Sequence, residues 1–204
     1  TLLCGLKKPQ TGTIYVDGRK PYDRLPSFLS DQFYLSDEVP AVNMKAEEYA
    51  VTYGKFWEGF DLAKFNEIME VLENDPHQKM NKMSFGQLKK TYIAFALACN
   101  TKYLFMDEPT NGLDIPSKAQ FRKAVTKYTR EDSVILISTH QVRDLENIID
   151  PIIILDRQDV LLNATIAEIS EKLYFDYTTE KVEDALYSEM IPGGNIQVYM
   201  NQTE

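Results

Sequence analysis

The sequence is poor in several things at once, and each shortage excludes something. It has two cysteines, Cys4 and Cys99, in 204 residues, too few for the disulfide framework that staples small secreted domains. Both sit in apolar, helical-looking surroundings where a free thiol acts as a small hydrophobe, so a reducing, intracellular setting is expected. No apolar run is long: "VILIS" at 134–138 and "PIIIL" at 151–155 fall far short of the roughly 18 residues that span a bilayer, and no membrane-crossing helix is expected. Positive charge is scarce. With 22 Lys and Arg against 31 Asp and Glu the net charge is -9, the wrong sign for a broad phosphate-backbone footprint, so nucleic acid is not expected as a partner. The chain starts at Thr1 without Met, a basic leader or a cleavage pattern, and reads as beginning part-way into a protein. A G-x-x-x-x-G-K-[ST] loop is also lacking, and with it the backbone nest and lysine that cradle phosphates.

What is present is the make-up of a globular protein, 44% hydrophobic and 26% charged, of a length that fits one large domain or two small ones. Short β-rich runs recur at 13–16 ("TIYV"), 103–106 ("YLFM"), 134–138, 152–155 and 160–162. Those at 103–106 and 134–138 are continuous rather than alternating, as strands buried on both faces of a parallel sheet require. Helical spacing of Leu88, Tyr92, Phe95, Ala96 and Cys99 predicts a helix over 84–100 packed on that sheet. Further helices are expected from Pro116 to about Tyr128, with the proline in the first turn, and over 141–149. Strand and helix in alternation argue an α/β sheet with helical crossovers. Residues 44–74, with Tyr49, Tyr53, Phe56, Trp57 and Phe60 at helical spacing, predict a helical subdomain whose aromatics form core rather than a docking surface. From about Tyr174 a small appendage is expected, with a short helix over "TTEKVEDALYSEM" and a turn and strand over "IPGGNIQVYM".

Chemistry concentrates at three places. "YLFMDEP" ends a buried strand in Asp107 and Glu108. A carboxylate at the carboxyl end of a parallel strand faces the crevice where open α/β sheets bind ligands, so Asp107 can hold Mg²⁺ while Glu108, pointing elsewhere, orients or deprotonates a water. "MSFGQ" at 83–87 pairs Ser84 and Gln87 as an S-x-x-Q capping box, with Gly86 keeping the first turn open and the helix's positive end facing an anion. "VILISTHQ" at 134–141 ends in Ser138, Thr139 and His140 near the same sheet edge. Taken singly, a strand-end acid, a plain cap and a structural histidine would explain each.

Together and in this order they resemble the ATP-binding cassette (ABC) family of ATPases. "LFMDEP" looks like the Walker B strand with the catalytic Glu, "MSFGQ" like the LSGGQ signature, "NGLD" like the D-loop and "STH" like the switch histidine. "GLKKPQTGTIYVDG" at 5–18 is similar to the segment after the family's phosphate-binding helix, so the resemblance runs from Thr1 to about Asn163 and places the phosphate loop just ahead of Thr1. It implies a P-loop NTPase-like, mostly parallel α/β sheet flanked by helices over 1–173, with an inserted helical subdomain at about 40–100 and a small C-terminal extension at 174–204. ATP and Mg²⁺ are the implied cofactors. Asp107 would hold the metal shell, Glu108 would be the general base and His140 would sense the γ-phosphate. Ser84, Phe85, Gly86 and Gln87 would grip the ATP of a second, head-to-tail copy, and Asp114 would link the two sites. Phe85 and Met83 depart from the signature's glycine and leucine. After the strand-like "SFL" at 27–29, the family's metal- and water-contacting Gln falls at Asp31 or Gln32, with Gln32 favoured.

The function so implied is the ATPase subunit of a transporter, driving separate transmembrane permease subunits from the inner face of the cell membrane, with export favoured over import. A ribosome- or DNA-acting member of the family is the alternative. It is opposed by the single cassette, the absence of heptads before the signature and the net acidity.

Overall fold

The computed structural model describes every residue except Glu146, Gln158, 180–183 and 202–204. Two compact units make up the chain, Thr1–Glu146 and Asn147–Glu204.

In the first unit, three strands form a parallel sheet in the order β1 (Gln32–Leu35), β2 (Tyr103–Asp107) and β3 (Val134–Ser138). Their register pairs Leu35 with Met106 and Asp107 with Ser138, so all three carboxyl ends share one edge. Parallel neighbours need crossovers. α1 (Pro26–Leu29) precedes β1; the first crossover carries α2 (Ala46–Gly54), α3 (Leu62–Val71) and α4 (Phe85–Ala98), and the second is α5 (Ile115–Tyr128).

α4 is the hub. The sequence predicts one apolar face against the sheet, but Thr91, Ile93, Ala94, Leu97 and Ala98 are buried as well as Leu88, Tyr92, Phe95, Ala96 and Cys99, because α2 and α3 cover the side away from β1. Phe95 lies among Phe33, Tyr49, Trp57 and Phe60 at centroid distances of 5.2–5.7 Å, mostly edge-on, the geometry aromatic quadrupoles favour. The aromatic series of the helical subdomain therefore divides: Tyr49, Trp57 and Phe60 enter this cluster, while Tyr53 and Phe56 are exposed.

β2 is buried as its continuous apolar run predicts, whereas β3 is not: Val134 is 52% and Leu136 37% exposed. Among the described residues β3 pairs only with β2 and lies at the sheet's edge, so only its inward alternate residues are shielded. Other expectations also fail locally. "TIYV" at 13–16 forms no strand, only a bridge from Val16 to Arg19 closed by Asp17 and Gly18 at φ 52° and 73°, a turn that folds the segment on itself. "SFL" at 27–29 is strand-like in sequence but forms the single turn α1, which Pro26 starts. The helix expected over 141–149 is, in the described residues, one 3-10 turn at Val142–Leu145.

The second unit holds an antiparallel hairpin, β4 (Ile152–Asp156) with β5 (Asp159–Ala164), then α6 (Ile166–Lys172), capped reciprocally by Thr165 and Glu168. A three-stranded antiparallel sheet follows in the order β6 (Leu173–Thr178), β8 (Gly194–Met200), β7 (Tyr187–Ile191). The helix expected over "TTEKVEDALYSEM" lies partly outside the described residues, and Tyr187–Met190 form strand instead, paired to β8 across a tight turn at Pro192 and Gly193. No helix among the described residues is long and apolar enough to cross a membrane.

Candidate active site

The carboxyl edge of the parallel sheet gathers the chemistry. Asp107 closes β2 and accepts a hydrogen bond from Ser138 Oγ at 2.6 Å and another from Tyr34 Oη at 3.3 Å. Burial and the Asp107 charge together push the Tyr34 hydroxyl above its usual pKa. One carboxylate set among hydroxyls is the donor set of a hard cation that keeps most of its shell for water and phosphate. Among the described residues no three His, Cys, Asp or Glu converge as a ready-made metal-ion site, so a cation here would take most of its ligands from water and phosphate.

Glu108 follows in a left-handed backbone conformation, φ 44°, which L residues other than Asn and Asp seldom adopt and which costs on the order of 1–3 kcal/mol. The conformation turns its side chain away from Asp107 and onto the loop after β3. There Oε1 accepts from the His140 backbone N–H at 2.9 Å and faces the ring Nδ1 at 2.7 Å, while Oε2 accepts from Thr139 Oγ1 at 2.8 Å. With the carboxylate facing it, Nδ1 is the ring nitrogen placed to donate. Glu108 is 18% exposed and His140 74%: the acid is held within, and the imidazole lies on its solvent side.

The turn from Glu108 to Asp114 is fixed from several sides. Asn111 N–H donates to the Glu108 carbonyl at 3.1 Å and Glu108 N–H to Ser138 O at 2.8 Å. The buried Thr110 hydroxyl donates to Asp144 at 3.0 Å, and Lys118 of α5 pairs with the same carboxylate at 2.8 Å. Asp114 caps α5 through a bond from Ser117 N–H at 2.9 Å, and the Ser117 side chain first, then this amide, hold its carboxyl below the usual range.

The start of α4 carries the expected reciprocal box, with Gln87 N–H to Ser84 Oγ at 3.2 Å and Ser84 N–H to Gln87 Oε1 at 2.9 Å. Both side chains are thereby engaged, leaving the first-turn amides and the dipole as the outward feature of this end. Phe85 is exposed, its ring over Gly112; a Cβ at Gly112, which also sits at φ 77°, would run into it. Gly86 approaches the Gly112 carbonyl so closely that a Cβ there would lie 3.1 Å from it.

Gln32 is a correction. It opens β1, opposite Tyr103 and so at the amino edge of the sheet, and its buried amide donates to the Cys4 carbonyl at 3.0 Å. It cannot reach the Asp107 edge from there, and Asp31, paired with Arg19 at 3.4 Å, lies at the same wrong end. The acid that does lie at the carboxyl edge of β1 is Asp37, missed in the sequence because β1 was expected several residues early. Its carboxyl is held below the usual aspartate range, first by an Asn111 hydrogen bond and further by Lys89 and by the charge of His140.

The family model described as ABC transporter matches residues 1–111, more than half of the sequence. The chain belongs to the ABC transporter family. Similar relatives of this ABC chain include the ABC transporter ATP-binding protein NatA of Bacillus subtilis, 25% identical over 94% of the chain and 79% of NatA. The bacitracin transport ATP-binding protein BcrA of Bacillus licheniformis is 27% identical over 98% of the chain and 64% of BcrA. Among solved structures, an ATP-binding subunit of an ABC transporter superposes with TM-score 0.69 at 21% identity, covering 82% of this chain and 72% of that one. A dimeric ATP-binding cassette in a post-hydrolysis state bound to ADP and Pi gives 0.61 at 23%, covering 70% and 68%. These structural likenesses establish the ABC chain's mixed α/β, P-loop NTPase-like fold.

Proposed function

We propose that this chain is the catalytic part of an ATP-hydrolysing subunit that closes head to tail with a second such subunit on ATP, opens after hydrolysis, and so drives separate membrane permease subunits at the cytoplasmic face. Export rather than import is the direction proposed; relatives named for bacitracin transport, glutathione import and cobalt import all align with this chain.

The observation that carries the reading is the setting of Glu108, an acid in a strained backbone, aimed by Thr139 and the His140 amide and covered by a solvent-exposed imidazole. A water taking the place of the His140 ring would hand its proton to Oε1 as its oxygen bonds the terminal phosphorus. The phosphorus–oxygen bond to ADP breaks, ADP leaves with that electron pair, and the proton passes on to solvent. Mg²⁺ held through Asp107 would neutralise phosphate charge. The released His140 ring is then free to meet the terminal phosphate. The first turn of α4 at Ser84–Gln87 would offer its amides to the nucleotide of the second subunit, with Phe85 and Asp114 at the contact between the two.

Glu108→Gln in the full-length protein tests this. ATP binding should persist while turnover, followed as phosphate release, falls by about 100- to 10,000-fold and closed dimers accumulate on size exclusion. Turnover at the wild-type level would overturn the reading.

A further inference from the structure

Lys89 is a fully buried cation that the reaction above does not use. It lies on α4 one turn beyond Ser84. Its ammonium donates to the Asp37 carbonyl at 2.6 Å, to Asp37 Oδ1 at 3.1 Å and to the Ser36 carbonyl at 3.4 Å, and stands 5.8 Å from the centre of the Phe85 ring. Leaving such a charge unpaired is severely unfavourable, so the loop after β1 must come to it. Asp37 in turn accepts from Asn111 Nδ2 at 3.1 and 3.3 Å, and Asn111 sits in the turn that Glu108 begins. Phe85 packed on Gly112 makes a second tie between the same two segments.

We propose that Lys89, Asp37 and Asn111 are positioning residues: a buried lysine fixes an aspartate, which fixes the Glu108–Asp114 turn relative to the start of α4, so that the aim of Glu108 and the α4 N-terminus are set together. The linkage rests on the catalytic reading for its consequence, not for its existence. It also gives Phe85 a use, since a glycine there would leave Gly112 uncovered and the ammonium without its aromatic neighbour.

Asn111→Ala cuts the chain of contacts without exposing or unpairing the lysine. In the full-length protein, amide exchange at Asn111–Leu113 should rise roughly tenfold while the amides of α3 and the middle of α4 stay protected. On the same preparation, kcat should fall about tenfold with the KM for ATP within about twofold, because aim is lost and binding is not. Lys89→Met combined with Asp37→Ala should reproduce both effects, and adding Asn111→Ala to that pair should change neither further. Unaltered exchange in the turn would overturn the proposal, as would faster exchange with kcat untouched or additive effects of the three substitutions. A wild-type protein that hydrolyses no ATP would sink the catalytic reading alone, leaving the exchange comparison to decide the linkage.

Discussion

Replacing Asp144 by Ala tests how the Glu108–Asp114 turn is anchored. The Asp144 side chain is 15% exposed and that of Lys118, 2.8 Å away, 21%. Breaking a fully buried ion pair from one side costs about 3–5 kcal/mol, but water reaching a fifth of the lysine lowers that to about 2 kcal/mol. Lys118 also keeps its bond to Gln141 Oε1 at 3.2 Å. The Thr110 hydroxyl, fully buried and donating to the same carboxylate, loses its acceptor for about 1 kcal/mol more. Asp144→Ala should therefore destabilise the first unit by about 3 kcal/mol, a drop of roughly 1.5 M in the urea midpoint if the slope is about 2 kcal/mol/M. Asp144→Asn, which retains an acceptor, should lose only about 1 kcal/mol. A loss below about 1 kcal/mol for the alanine variant, or an asparagine variant as damaged as the alanine one, would refute the argument.

Phe95→Ala should cost about 3–5 kcal/mol in thermal or urea unfolding, because it opens a cavity where Phe33, Tyr49, Trp57 and Phe60 converge; a loss under about 1.5 kcal/mol would mean that the four rings close over the gap. Asp37 sets a pH signature. Its carboxyl is held below the ordinary value of 3.8, first by the Asn111 hydrogen bond, so the folded state binds its proton less readily than the unfolded chain. Its contribution is complete above that value and lost as the pH falls below it. Asp37→Asn should flatten the acid limb of a stability profile measured between about pH 2.5 and 6, and an unchanged limb would contradict the assignment.

How much of this was legible in the sequence depends on whether the signal is local. β2 and its two acids, the Ser84 box and the start of α5 are written in consecutive residues: an apolar run, a reciprocal cap, a proline in a first turn. β7 was not, because Glu, Ala, Leu and Met favour helix while pairing with β8 beyond Pro192–Gly193 overrides that preference. Exposure of β3 was missed since an apolar run does not reveal how many neighbours its strand has. Asp37 was hidden twice, by the displaced start of β1 and by partners, Lys89 and Asn111, that lie 52 and 74 residues further on. Such pairings leave no mark at any fixed spacing.

The left-handed backbone at Glu108 also bears on descent. A carboxylate in a conformation that suits Gly or Asn better sets local strain against any use made of the side chain. Copies of this gene released from the proposed hydrolysis should be free to change at position 108, towards glycine or asparagine. The sheet and α4 would outlast the activity they were built around, so a well-folded descendant is poor evidence of a working one, and the residue at that single turn is the better witness.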